Sequence, residues 1–152
     1  QPLGFIIFFV ASLAELNRAP FDLAEAEPEL VGGYHTEYSG MKFGLFYLAE
    51  YSNMLATSAI IATLFFGGWQ VPFLPEMLGL QEGSLPLVLL QVGSFLTKTV
   101  FFVFVFIWIR WSTPRFRYDQ LMALGWKVLL PLALANIILT GVGMALWDYF
   151  TK

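Results

Sequence analysis

The sequence predicts an all-α integral membrane protein of about four transmembrane helices. The first is partial, and a long acidic loop separates it from the second. Three observations carry this reading. Of 152 residues, 58% are hydrophobic and 12% charged, where soluble domains run at about 25% charged; mean hydropathy is +0.70. Four apolar runs are separated by three polar connections, the pattern of a chain that crosses a bilayer repeatedly. The polar groups are also unevenly spread, since seven of the eleven acids fall between residues 15 and 50.

The first apolar run, within residues 1–16, is short for a span, which needs ~20 residues, and is read as part of a transmembrane helix. The chain opens on Gln1 and Pro2 at the edge of this run, with no charged segment before it. A signal peptide is therefore not expected, and the chain is read as a piece of a longer or split subunit. The second run, 43–66, is long enough to span and is stopped by Gly67 and Gly68, good helix terminators. The third is 85–111. The fourth is 121–150, with Pro131 inside it; a membrane helix tolerates such a proline where neighbours satisfy the freed carbonyl. Together residues 1–152 are read as a single membrane domain.

The connections set the expected orientation. Residues 15–42 and 110–120 together hold five Lys and Arg: Arg18, Lys42, Arg110, Arg115 and Arg117. Residues 67–84 hold none. Two spans separate the first and third connections, so both lie on one side, which the positive-inside rule makes the cytoplasm or the mitochondrial matrix.

The acidic loop contains Glu15, Asp22, Glu25, Glu27, Glu29 and Glu37, with Arg18 among them. Asp22, Glu25 and Glu29 have helical spacing, but Pro20 and Pro28 argue against one unbroken helix. Two short helical pieces are expected instead, the first opened by Pro20, with acids in the favoured first turn. Phe21 and other apolar residues alternate with the acids, which points to packing against the membrane surface rather than a solvated loop. Acids packed closely share protons, because like charges disfavour double ionisation. Such a cluster is suited to holding and passing protons. Arg18 is the compensating charge, either as a structural ion pair or as a direct ligand contact.

Two charges fall inside spans. Glu50 sits roughly 12 Å into the second, where an ionisable group costs a few kcal/mol and normally faces a cavity or a partner. Lys98 is near the middle of the third. Their depths differ by only ~6 Å if counted from one face, which brings a direct or water-bridged pair within reach if the two helices are adjacent. Lys98 is then either a counter-ion or a member of a proton relay. Lys127 snorkels to the surface, and the one histidine, His35, is read as an ordinary hydrogen-bonded residue. With no Cys, the chain has no disulfide and no thiolate-held metal or iron–sulfur centre. The run of Arg115, Phe116, Arg117, Tyr118 and Asp119 has the composition of a nucleic-acid patch. Beside a membrane it instead suits anionic lipid headgroups or a docking partner, and no nucleic acid is expected.

Four stretches carry a family resemblance: ELNRAPFDLAEAEPELVGGYHTEYSG at 15–40, FYLAEY at 46–51, WIRWSTPRFRYDQLM at 108–122 and WKVLLP at 126–131. They resemble the H subunit of bacterial NADH–quinone oxidoreductase, respiratory complex I, known in mitochondria as NADH dehydrogenase subunit one. The resemblance covers essentially the whole chain, as the C-terminal half of an eight-helix subunit. It implies a proton-translocating NADH:quinone oxidoreductase in the bacterial plasma membrane or the mitochondrial inner membrane. It further implies that the chain forms part of the quinone-access tunnel and couples quinone reduction to proton transfer.

By motif, Glu15, Asp22, Glu25, Glu27, Glu29 and Glu37 fall in the coupling loop. Glu50 falls on the family's membrane-embedded glutamate. Arg18 falls in the same coupling loop, and Arg115, Arg117 and Asp119 fall in the loop facing the peripheral arm; these four and Phe21 are expected to line the quinone tunnel or orient the loops. The implied partners are the quinone-site subunits of that arm, the other membrane-arm subunits, quinone and lipid. NADH, flavin and iron–sulfur clusters belong to other subunits, so this chain is expected to bind no cofactor alone and to hold no complete active site. Two alternatives stand beside this reading. One is the equivalent subunit of a membrane-bound hydrogenase. The other is a passive scaffold whose acids only anchor the peripheral arm.

Overall fold

Each apolar run of the sequence is helical. The structure, a computed structural model, describes residues 1–17, 19–22, 32, 36–71 and 85–151. In chain order the helices are α1 (Pro2–Glu15), α2 (Met41–Phe65), α3 (Leu85–Ser112), α4 (Tyr118–Ala123) and α5 (Leu130–Thr151). A π-helical turn, Leu124–Leu129, joins α4 to α5, making one continuous helix of 34 residues. No strand occurs among the described residues.

Two helices, Leu85–Ser112 and Tyr118–Thr151, are long and apolar enough to cross a membrane. At 25 residues α2 also has the length, but Lys42, Glu50, Ser52 and Asn53 dilute its apolar character. α1 has 14 residues, about 21 Å against a hydrocarbon core of about 30 Å. The four expected spans thus correspond to two helices that meet both criteria, one that meets length alone and one short helix.

By its contacts the chain divides into two units: Ala24–Thr113, and Gln1–Leu23 with Pro114–Lys152. In the first, α2 buries Met54, Thr57, Ser58, Ile61 and Ala62, a stripe of period three and four. α3 buries Leu87, Thr99, Phe102 and Phe106. Ser58, Ile61 and Phe106 are the largest fully buried side chains. Lipid is as apolar as leucine, so membrane helices associate through close packing, which small residues such as Ser58, Ala62 and Thr99 permit. The hydroxyls need no cross-helix partner: Ser58 Oγ donates to the Met54 carbonyl at 2.7 Å and Thr99 Oγ1 to the Phe95 carbonyl at 2.9 Å.

In the second unit α1 packs against α5. Gly4 lies at this contact, where an added Cβ would come within 3.3 Å of Asn136 Nδ2. Pro2 occupies the first turn of α1, where its missing N–H is no loss. The expected kink at Pro131 takes a particular form. Proline cannot donate to the carbonyl four residues before it, and the turn leading into it widens, with the Leu130 amide bonded to the Gly125 carbonyl.

Two expectations are corrected. Ala19 to Asp22 is a non-helical turn, not the first turn of a helix, and the Pro20 carbonyl accepts the amide of Phe116; the rest of the two short helices expected in this loop lies outside the described residues. The third connection is also shorter than residues 110–120. α3 runs to Ser112, and α4 starts at Tyr118 because the Gln120 side chain accepts the Arg117 amide at 3.3 Å. The irregular part is therefore residues 113–117.

Candidate functional site

The start of the acidic loop and the short connection before α4 meet within one unit. The Phe116 amide donates to the Pro20 carbonyl at 2.9 Å. The rings of Phe21 and Phe116 lie 5.7 Å apart and tilted, a favourable aromatic separation. Behind them Leu16, Ala19 and Phe21 are buried. This apolar seat places the next residue, Asp22, in the interior with 3% of its surface exposed.

A buried carboxylate requires compensation. Arg115 supplies part of it, with Nη2 3.8 Å from Asp22 Oδ2. That separation is long for a hydrogen bond but short for Coulombic attraction, and Asp22 makes further interactions. Arg115 is itself 40% exposed. The pair therefore joins an interior acid to a cation that reaches solvent, an arrangement able to sense charge arriving at its open side. Two residues on, Arg117 Nη2 and Asp119 Oδ2 lie 3.9 Å apart on the surface, 83% and 85% exposed. Such a pair contributes little to stability and leaves both groups available.

The sequence-predicted residues sort as follows. Phe21, Asp22 and Arg115 come together, with Arg117 and Asp119 following directly along the chain. Glu15, at the end of α1, is exposed, as is Glu37. Arg18, Glu25, Glu27, Glu29 and His35 lie outside the described residues. Glu50 is half-buried on α2 and engaged in an interaction.

Lys98 does not make the direct pair with Glu50 that the sequence allows. Lys98 Nζ donates instead to the carbonyls of Phe66, Gly68 and Gln70 at 2.9, 3.0 and 2.8 Å. These follow the end of α2, while Glu50 lies fifteen residues before its last residue, Phe65, about 22 Å along the axis. Sequence reasoning missed these carbonyl partners because backbone oxygens have no residue-type signature. The one available signal was the Gly67–Gly68 pair, which marks a turn that redirects carbonyls. The Pro20–Phe116 bond was missed for the same reason.

Comparison with known proteins agrees along the chain. A family model described as NADH dehydrogenase matches residues 1–141. NADH-quinone oxidoreductase subunit 8 of Rhodothermus marinus is 62% identical over 151 residues, covering 97% of this chain and 44% of that protein. The H subunit of NADH-quinone oxidoreductase from Salinibacter ruber is 60% identical over 150 residues, with 97% and 44% covered. An H subunit of the same enzyme from Cytophaga hutchinsonii is 54% identical over 147 residues, with 97% and 42% covered. The chain thus spans less than half the length of these relatives. With a buried acid seated between two loops, apolar helices of spanning length and a match over most of its residues, the chain belongs to the NADH dehydrogenase family.

Proposed function

We propose that this chain is the C-terminal part of the membrane subunit of a proton-translocating NADH:quinone oxidoreductase. In that role it contributes a wall of the quinone-access tunnel and links quinone reduction to proton transfer. The observation that carries the reading is Asp22, an acid with 3% exposure beside a half-exposed Arg115. Reduction of a quinone consumes two electrons and two protons. Negative charge developing near Arg115 would draw the guanidinium toward it and weaken its hold on Asp22. The Asp22–Arg115 pair would thereby pass a charge change at the substrate to the interior of the loop.

In this scheme Glu15, Glu25, Glu27, Glu29 and Glu37 extend the proton-holding loop, with Arg18 compensating their charge. Glu50 on α2 carries the response into the membrane, and Lys98 on α3 contributes a positive charge at the C-terminal end of α2. Phe21 and Phe116 exclude water from the Asp22 seat. The loops at 15–42 and 113–117 face the cytoplasm or matrix. There Arg115, Arg117 and Asp119 dock the peripheral-arm subunits or anionic lipid headgroups. NADH oxidation and the redox centres reside on partner subunits.

The test is Asp22→Asn and Glu50→Gln in the assembled complex. The expected result is normal assembly with NADH–quinone turnover and proton pumping each reduced about tenfold or more. Unchanged turnover and pumping in both variants would overturn the proposal. Lost assembly, with full activity in whatever complex remains, would instead establish a scaffold that only anchors the peripheral arm.

A further inference from the structure

We infer that the turn after α2 is a built cation site, that the Lys98 ammonium is its resident ion, and that this residue positions the α2–α3 pair. The proposal does not depend on the quinone reading. The last residue of α2 is Phe65, and the next two glycines both have positive φ, 68° at Gly67 and 52° at Gly68, a conformation that side chains with a Cβ rarely adopt. The Ala62 carbonyl accepts both the Phe66 amide, at 3.2 Å, and the Gly68 amide, at 2.9 Å. The Gln70 amide closes a second turn onto the Gly67 carbonyl at 2.9 Å.

These two turns leave alternate carbonyls, those of Phe66, Gly68 and Gln70, directed at one point. Lys98 Nζ occupies that point, 2.8 to 3.0 Å from each oxygen. An ammonium has three hydrogens and no acceptor, so three carbonyls match its donor set fully. A neutral amine, with two hydrogens, leaves one carbonyl unserved. The site also lies at a helix C-terminus, where the backbone dipole favours positive charge. One turn further along α3, Phe102 packs its ring 5.0 Å from that of Phe66. The ammonium and the ring together fix the end of α2 on α3.

Lys98 is therefore a positioning residue. A relay group must give up its hydrogen bonds to pass a proton, whereas each Lys98 bond holds a backbone oxygen of the turn. The residue is one of only two Lys or Arg between positions 43 and 110, Arg110 at the far end of α3 being the other. The turn thus draws its counter-charge from within the helix pair.

The test uses Lys98→Ala and Lys98→Arg in the full-length subunit within its native membrane complex, read by hydrogen exchange at the Gly68 and Gln70 amides. With alanine the three carbonyls lose their cation, and both amides are expected to exchange about tenfold faster. Methylammonium or potassium chloride at tens of millimolar then returns exchange to within about twofold of wild type; choline chloride, too large for the carbonyls to surround, does not. With arginine, which keeps the charge, exchange stays within about threefold of wild type. Wild-type exchange in the alanine variant would overturn the proposal, as would acceleration that neither small cation reverses. If the alanine variant fails to accumulate, the arginine variant decides. Protected turn amides uphold the cation site, and exposed ones show that the lysine stem, not its charge, holds the turn. Proton pumping is measured alongside: lost pumping with unchanged turn exchange would assign Lys98 to proton relay and overturn the positioning role.

Discussion

The amide of Phe116 donates to the carbonyl of Pro20 at 2.9 Å, and this bond ties the acidic loop to the connection before α4. A main-chain bond fixes the approach of the two segments whatever side chains they carry. The side chains add Phe21 on Phe116 and Arg115 beside Asp22. One expected consequence is that Phe116→Leu, which retains the amide and much of the apolar volume, weakens the junction far less than Phe21→Ala. Loss of a buried Phe side chain costs about 3–5 kcal/mol, and Phe21 is buried. Thermal inactivation of the assembled complex is expected to occur several degrees lower for Phe21→Ala, and to stay near wild type for Phe116→Leu.

Arg115 and Asp22 should respond unequally to substitution. The arginine is partly exposed, which screens the pair and limits its worth to about 1 kcal/mol, a factor of about five in rate if the same interaction acts in the transition state. Asp22 sits in the interior, where the surroundings are built around a carboxylate. Arg115→Gln is thus expected to lower quinone turnover severalfold without loss of assembly, and Asp22→Ala to reduce both. Quantifying assembled complex and turnover per complex separates the two effects. Equal behaviour of the variants would contradict the asymmetry of exposure.

The α2–α3 contact should tolerate loss of a hydroxyl but not gain of volume. Ser58 is fully buried and its hydroxyl bonds only within its own helix. Ser58→Ala is expected to be near neutral. Ser58→Leu overpacks a full interface, which costs about 1–3 kcal/mol, and the subunit should accumulate in membranes at a clearly reduced level. Immunodetection of the subunit in isolated membranes checks this, and equal levels for the two variants would show that the interface is loose.

Pro131 and the widened turn before it make a further prediction. An alanine at 131 supplies the missing amide and removes the reason for a π turn. Pro131→Ala should shift this segment to ordinary α register, visible as protection of the new amide from hydrogen exchange. A modest gain in thermal stability should accompany it, since an interior proline costs up to about 3 kcal/mol. An unprotected amide at 131 would mean that residues other than the proline hold the wide turn.

Much of the architecture could be read in advance, and the reason is physical. Apolar runs bounded by polar clusters specify membrane-length helices, and the glycine pair at 67 and 68 marks the end of α2 to within a residue. The neighbourhood of Asp22 was partly legible, since Phe21 and Leu16 flank acids in a way that suggests packing. The partners were not. Asp22 meets Arg115 because a backbone hydrogen bond brings distant segments together, and Lys98 turns from Glu50 to three carbonyls because the two glycines redirect the chain. Charge and spacing in one dimension cannot reveal where main-chain oxygens will converge. The start of α4 shows the same limit on a smaller scale, since one Gln120 side chain bond to the Arg117 amide extends a helix back into residues that read as loop.

The π turn at Leu124–Leu129 has one more consequence. It uses an extra residue to complete its turn, and each residue of a helix advances the side-chain direction by about 100°. The side-chain stripe running up α4 is therefore rotated when it emerges in α5. A straight α-helix offers one continuous flank to one neighbour, but this one changes its bearing partway along. Its two segments can then fit companions on different sides, much as a dog-leg in a dovetail lets a single rail join two boards.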